Sequence, residues 1–204
     1  MTWPANPGWH LPPVGLLALC PLIAAGGTLL TAVCVALLFL VTLTLVSATM
    51  AALGRRVSPE ARVLTLLLIS GVWVTLIDLV LQACAYPLWA TLGIYVPLLA
   101  ANSLVLAVGE QSLRGVSGKR SVREGLALGG YAALWIVAIG LLREALGAGA
   151  VLSDAHLLSG LPGPFPVTAF TAPVLQTAPG ALLLLALAAA VAAASAGVRA
   201  LPRA

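Results

Sequence analysis

One cysteine in this chain stands where a thiol has the surroundings for redox or metal chemistry. Cys20 is followed directly by Pro21 in the middle of an uncharged apolar stretch from Gly15 to Gly27. A thiolate binds soft metals and iron–sulfur clusters, and a proline inside a helix costs about 3 kcal/mol because it removes a backbone donor. A thiol at such a break would face protein, since irregular backbone is not exposed to lipid. The alternative is a small buried hydrophobe, as most free cysteines are.

Asp78 is the second residue whose type suggests a function. It lies inside the apolar run 63–83, and an acid in a membrane span costs about 2.5 to 3.5 kcal/mol on insertion scales, which marks it as a functional candidate. It lies on an ion path, or bonds a neighbouring helix, or pairs with Arg143. The other cysteines, Cys34 and Cys84, complete no C-x-x-C pair. Because one chain with three scattered cysteines cannot supply four thiolates, a cluster here would need a partner chain.

Membrane-spanning helices must position these side chains. The chain is 61% hydrophobic and 8% charged, with a mean hydropathy of +1.11, whereas soluble domains carry about 25% charged residues. A crossing helix needs about 20 apolar residues, and the pattern predicts an all-α integral membrane protein with six transmembrane helices. These lie at about residues 11–25, 28–50, 63–83, 88–109, 125–146 and 179–198. The first is short and the fourth contains Pro97, so both are predicted to be broken.

The basic residues predict the orientation of these six helices. Nine of the ten lysines and arginines fall in the two loops and the C-terminal tail that six spans place on one side. Loops that face the cytoplasm carry the excess of basic residues, so both termini are predicted to be cytoplasmic. The formal net charge of +4 therefore reflects loop asymmetry, and the sequence indicates no nucleic-acid partner.

A short internal repeat predicts how the helices are arranged. PLIAA at residues 21–25 recurs as PLLAA at residues 97–101, each in a proline-interrupted span. Three spans per copy would give the copies opposite orientations, which predicts one membrane domain over residues 1–204 with inverted halves at about 11–84 and 86–198. Inverted repeats with interrupted helices place functional sites near the bilayer midplane. The alternative is a chance match in a sequence rich in alanine and leucine.

Five segments, in their order and spacing, resemble the E-type membrane subunits of the Rnf electron-transport complex. They are NPGWHLPPVGLLALCPLIA at residues 6–24, RRVSPEARV at 55–63, IDLVLQA at 77–83, LGIYVPLLAANSLVLAVGE at 92–110 and REALGAGAVL at 143–152. The related D-type subunit of the sodium-pumping quinone reductase is similar throughout. The LCPL and VPL sequences favour the Rnf side.

This resemblance implies a subunit of an ion-translocating ferredoxin–NAD oxidoreductase in the bacterial inner membrane, with no catalysis by the isolated chain. It implies that the chain pairs with a homologous A-type subunit, and that each gives two cysteines to one [2Fe–2S] cluster midway through the membrane. The first family cysteine falls on Cys20. The second should follow Asn102, where this sequence has Ser103. Either Ser103 binds iron, or another group completes the shell, or the cluster is altered or lost.

Two further functions stay open on the sequence alone. A subunit with Ser103 at its second ligand position could serve as a scaffold or assembly subunit without a cluster. A small transporter with an inverted repeat would show the same hydropathy pattern. Reconstitution separates the two, because a transporter moves its substrate alone whereas a complex subunit is inert without its partners.

Overall fold

The computed structural model describes residues 18–53, 56–113, 118–154, 165–166 and 171–200. Its helices are α1 (Cys20–Ala25), α2 (Leu29–Leu53), α3 (Arg62–Cys84), α4 (Tyr86–Leu92), α5 (Tyr95–Leu98), α6 (Ser103–Leu113), α7 (Gly118–Gly147) and α8 (Ala178–Ala200). Short 3-10 turns cover Pro59–Ala61, Leu99–Ala101 and Pro173–Gln176. Two-residue strands β1 (Ala150–Val151) and β2 (Phe165–Pro166) pair antiparallel and make the one sheet of the described ranges. The predicted all-α class is confirmed.

Three helices, α2, α3 and α7, are long and apolar enough to cross a membrane. The described residues also hold a helix pair, Tyr86–Leu92 and Tyr95–Ser112, that is bent by 66° and makes a fourth crossing if the pair is one span. Gly93 lies at this bend with a φ of 47°, a left-handed conformation that glycine adopts without strain. The predicted first and sixth spans correspond to the six-residue α1 and to α8, whose apolar part Ala178–Val191 is short for a crossing. Residues 11–17 of the first span lie outside the described residues. The chain is a multi-pass membrane protein.

Helices α2 and α7 form the centre of the bundle and approach each other closely. Phe39 of α2 is completely buried there. Opposite α2, helix α7 places glycines: a Cβ atom at Gly125 would lie 2.9 Å from the Ser47 hydroxyl oxygen, and one at Gly140 would overlap the Cβ atom of Ala32. Small residues let membrane helices pack backbone to backbone, where van der Waals contacts hold them together.

Helix α3 packs on this centre with one side only. Leu66, Ser70 and Val74 are its buried residues, and positions four apart lie on one face of a helix. Leu68 and Val80 on other faces are exposed. The outer surface of α3 is therefore available to lipid or to another chain.

The two copies of the predicted repeat occupy different elements. PLIAA lies within α1, whereas PLLAA runs from the end of α5 through the 3-10 turn Leu99–Ala101. Helix α1 begins at Cys20 after a turn at residues 18–19, and helix α6 begins at Ser103 just after the 3-10 turn Leu99–Ala101. The inverted repeat stays a prediction.

Candidate functional site

The proline beside Cys20 lies in the first turn of helix α1. Cys20 and Pro21 are the first two residues of α1. The first N–H groups of a helix have no partner within it, so a proline at this position loses no hydrogen bond. The Cys20 side chain is half-buried and packs against the hydrophobic core. The position of the Cys20 thiol is therefore set by the start of α1.

Asn102 joins the residues just before α1 to the start of α6. Its side-chain nitrogen donates to the backbone carbonyl of Ala18 at 2.9 Å, two residues before Cys20. Its side-chain oxygen accepts a hydrogen bond from the N–H of Leu104 at 2.9 Å, which caps the start of α6. Asn102 is 4% exposed, so water does not compete for these bonds. One amide thus ties together the helix starts that carry Cys20 and Ser103.

The backbone groups released by the second break find partners within the chain. The Ser70 hydroxyl on α3 donates to the carbonyl of Ala100 at 2.9 Å, and the N–H of Asn102 donates to the carbonyl of Leu99 at 3.3 Å. Ser70 is completely buried. Non-helical backbone at membrane depth needs such partners, because an unbonded carbonyl there costs several kcal/mol. The non-helical segment before α6 is therefore stabilised by the rest of the fold. The sequence feature that marks it is a serine in an apolar helix.

Ser103 lies at the surface of the chain. It is the first residue of α6 and is exposed, as are Ala101 before it and Ala107 one turn later. These small side chains leave space for another chain to come close to the helix backbone. A ligand at Ser103 would therefore face the surroundings of the chain rather than its core.

The candidate ligands of a cluster, Cys20 and Ser103, could supply only part of its ligand set. In the part of the chain that the structure describes, no three His, Cys, Asp or Glu side chains come together to hold a metal ion. Cys34 is half-buried on α2, and Cys84 is exposed at the end of α3. Cys20 and Ser103 offer at most two of the four ligands that an iron–sulfur cluster requires. A second chain would have to supply the others.

Asp78 is not paired with Arg143. Its carboxylate accepts a hydrogen bond from the indole N–H of Trp89 at 2.9 Å, which ties α3 to α4. Arg143 instead donates to backbone carbonyls, among them that of Ile23. The predicted bond of Asp78 to a neighbouring helix is present, with a tryptophan in place of the arginine.

The sequence matches one family over nearly its whole length. The family described as "Rnf-Nqr subunit, membrane protein" matches residues 11–193. This chain belongs to the Rnf-Nqr family. The broken helices that carry Cys20 and Ser103 both lie within the matched residues.

Relatives of this Rnf-Nqr chain are named as the E component of an ion-translocating oxidoreductase complex. The protein from Thioalkalivibrio sulfidiphilus is 37% identical over 158 residues, which make up 76% of this chain and 69% of the relative. The protein from Pseudomonas aeruginosa is 34% identical over 158 residues, or 78% of this chain and 65% of the relative. The protein from Rhodobacter capsulatus is 33% identical over 145 residues, or 71% and 60%. The matched part spans less than two thirds of the last two relatives. The resemblance to E-type subunits is confirmed.

Proposed function

We propose that this chain is the E-type membrane subunit of an ion-translocating ferredoxin–NAD oxidoreductase complex in the bacterial inner membrane, with both termini cytoplasmic. The observation that carries the proposal is the likeness to relatives named as the E component of an ion-translocating oxidoreductase complex. The bond from Asn102 to the Ala18 carbonyl supports it, because this bond ties the helix that begins at Cys20 to the helix that begins at Ser103. The chain works only within the assembled oxidoreductase.

A [2Fe–2S] cluster shared with the homologous A-type subunit would supply a one-electron carrier midway through the bilayer. Cys20 provides a thiolate, the usual ligand of such clusters. Asn102 bonds the backbone next to Cys20 and next to Ser103, and the buried Ser70 bonds the carbonyl of Ala100. Supporting hydrogen bonds of this kind hold a functional site in one geometry. Cys20 is thereby kept ready for the partner's ligands.

Ser103 favours a second candidate, a scaffold subunit that assembles with the same partners and holds no cluster. A serine oxygen is a harder and more basic ligand than a thiolate, and it binds iron only when it is deprotonated. Its exposed position suits contact with a partner in either function. The two candidates differ in whether iron is present between the subunits.

Anaerobic purification of the intact complex tests the proposal. Iron content and the reduced-state EPR spectrum are compared for the wild type and Ser103→Cys. A two-iron signal whose g-values shift in Ser103→Cys would identify Ser103 as a ligand. A signal that the substitution leaves unchanged would show that a group other than Ser103 completes the four ligands of the cluster. A wild-type complex without a membrane two-iron centre contradicts the relay and favours the scaffold.

Asp78→Asn is expected to leave ion translocation by the complex nearly unchanged. The asparagine oxygen accepts the bond from the Trp89 indole as the carboxylate does, so the α3–α4 contact survives. Asp78→Leu loses the bond and is expected to lower stability by about 1 kcal/mol. Ion uptake into vesicles that contain the complex provides the measurement. Equal loss of transport in both variants would show that the charge itself lies on the ion path.

A further inference from the structure

Two adjacent charged residues of α7, Arg143 and Glu144, are buried inside the protein. Arg143 is 1% exposed and Glu144 is completely buried. Charged side chains within membrane helices are costly and occur where partners compensate them. Both side chains find these partners in the backbone of other segments, so their burial is explained by what they hold together.

The guanidinium of Arg143 binds four backbone carbonyls. Its Nη1 donates to the carbonyl of Ile23 at 2.7 Å and to that of Gly26 at 2.8 Å. Its Nε donates to the carbonyl of Leu175 at 3.1 Å, and its Nη2 to that of Gln176 at 2.7 Å. The first two carbonyls close the C-terminal end of α1, and the other two belong to the turn before α8. Arg143 therefore joins α1 to the segment that leads into α8.

Glu144 bonds the chain on the other side of Gly26 and Gly27, which lie between α1 and α2. One carboxylate oxygen accepts a hydrogen bond from the N–H of Leu29 at 2.7 Å, at the start of α2. The other accepts one from the N–H of Ser153 at 2.5 Å. A positive group at the end of α1 and a negative group at the start of α2 both match the polarity of the helix ends. The pair thus saturates backbone groups on both sides of Gly26 and Gly27.

Helix α1 is held at both ends by these contacts. It has six residues and spans about 9 Å at 1.5 Å per residue. Asn102 bonds the chain just before its first turn, and Arg143 bonds its last turn. A helix this short has no stability of its own. Its position depends on the two clamps and on the packing of the buried Leu22 and Ile23.

We propose that Arg143 is a positioning residue for Cys20. Arg143 acts through α1 and couples the turn Pro173–Gln176 to the thiol. The inference deepens the proposed function and rests on it for the role of Cys20. A guanidinium suits this task because it offers five donors in a rigid planar fork, whereas a lysine ammonium is a compact point charge. Because Arg143 bonds both the turn before α8 and the end of α1, it joins the position of α1, and with it that of Cys20, to this turn.

Thiol labelling in membrane vesicles tests this coupling. The full chain is produced without partner subunits and with Cys34 and Cys84 replaced by alanine, so that Cys20 is the remaining thiol. Its rate of reaction with membrane-permeant N-ethylmaleimide is measured. Arg143→Ala is expected to raise this rate about tenfold, the factor that corresponds to about 1.4 kcal/mol, because α1 loses both bonds at its last turn. Guanidinium ion added to Arg143→Ala is expected to restore the slow reaction.

Two controls separate positioning from general damage. Arg120 lies on the same helix, is exposed and pairs with Glu124 at 2.8 Å, so Arg120→Ala is expected to leave the rate unchanged. A chain that keeps Cys34 alone reports on the centre of the bundle. An unchanged rate at Cys20 in Arg143→Ala overturns the proposal, and so does an equal rise at Cys34. Arg143→Lys, which keeps the charge, must also react faster than the wild type.

The labelling result is independent of the cluster, because a chain without partners cannot complete a four-ligand site. Faster labelling in Arg143→Ala together with a wild-type complex that lacks the two-iron signal keeps the positioning role and rejects the relay. The opposite combination keeps the relay and rejects the positioning role.

Discussion

Replacing Cys20 with alanine is expected to abolish the two-iron EPR signal of the membrane subunits and the electron transfer that depends on it. Alanine has no donor atom for iron, and a cluster that loses one of four ligands is not retained in its native form. Among the described residues, no group of three His, Cys, Asp or Glu side chains stands ready to replace the thiolate. The reduced-state spectrum and ferredoxin-dependent reduction of NAD by the purified complex provide the two measurements.

The other cysteines supply matched controls for this prediction. Cys34 lies on α2 and Cys84 at the end of α3, outside the two segments that Asn102 ties together. Cys34→Ala and Cys84→Ala are expected to leave the signal and the turnover intact. Gel analysis of subunit content shows whether each variant complex assembles. A signal that persists in an assembled Cys20→Ala complex would mean that the thiol is a packed side chain and no ligand.

The long helices were predictable because their cause is local. Runs of apolar residues with the length of a bilayer predicted spans at 28–50 and 63–83, and helices α2 and α3 begin and end within a few residues of these limits. Helix α7 begins earlier than the predicted 125, because the polar segment before it is helical too. There Arg120 bonds Glu124 four residues on, a spacing that stabilises a helix. Hydropathy marks the membrane part of a helix and not its true end.

The contacts that build the site were not predictable, because they join residues far apart in the chain. The bond from Asn102 to Ala18 spans 84 residues, and that from Arg143 to Ile23 spans 120. Composition places a polar residue in an apolar span and does not name its partner. The sequence also predicted a break of the first span at the proline, whereas Pro21 lies in the first turn of α1. The sequence shows which residues are present and in what order, but not which way each side chain faces. Asn102 is buried, whereas its neighbour Ser103 is exposed.

Gly140→Ala is expected to destabilise the chain markedly, because helices α2 and α7 leave no space for a side chain there. The added methyl group would overlap the Cβ atom of Ala32, which is completely buried on α2. Overpacking of this kind costs about 1 to 3 kcal/mol. It also moves α7 within one turn of Arg143 and Glu144, so the clamps on α1 and α2 are strained with it. The thermal midpoint of the solubilised complex is the measurement.

Two further variants test whether the effect comes from the contact between Gly140 and Ala32. Gly130 lies on the exposed side of the same helix, with nothing within 4 Å of an added Cβ atom. Gly130→Ala is therefore expected to hold or raise the midpoint, since alanine is better than glycine in a helix by about 1 kcal/mol. Adding Ala32→Gly to Gly140→Ala removes the overlapping atom and is expected to recover most of the lost stability. A double variant that is no more stable than Gly140→Ala would show that helices α2 and α7 do not meet at this point.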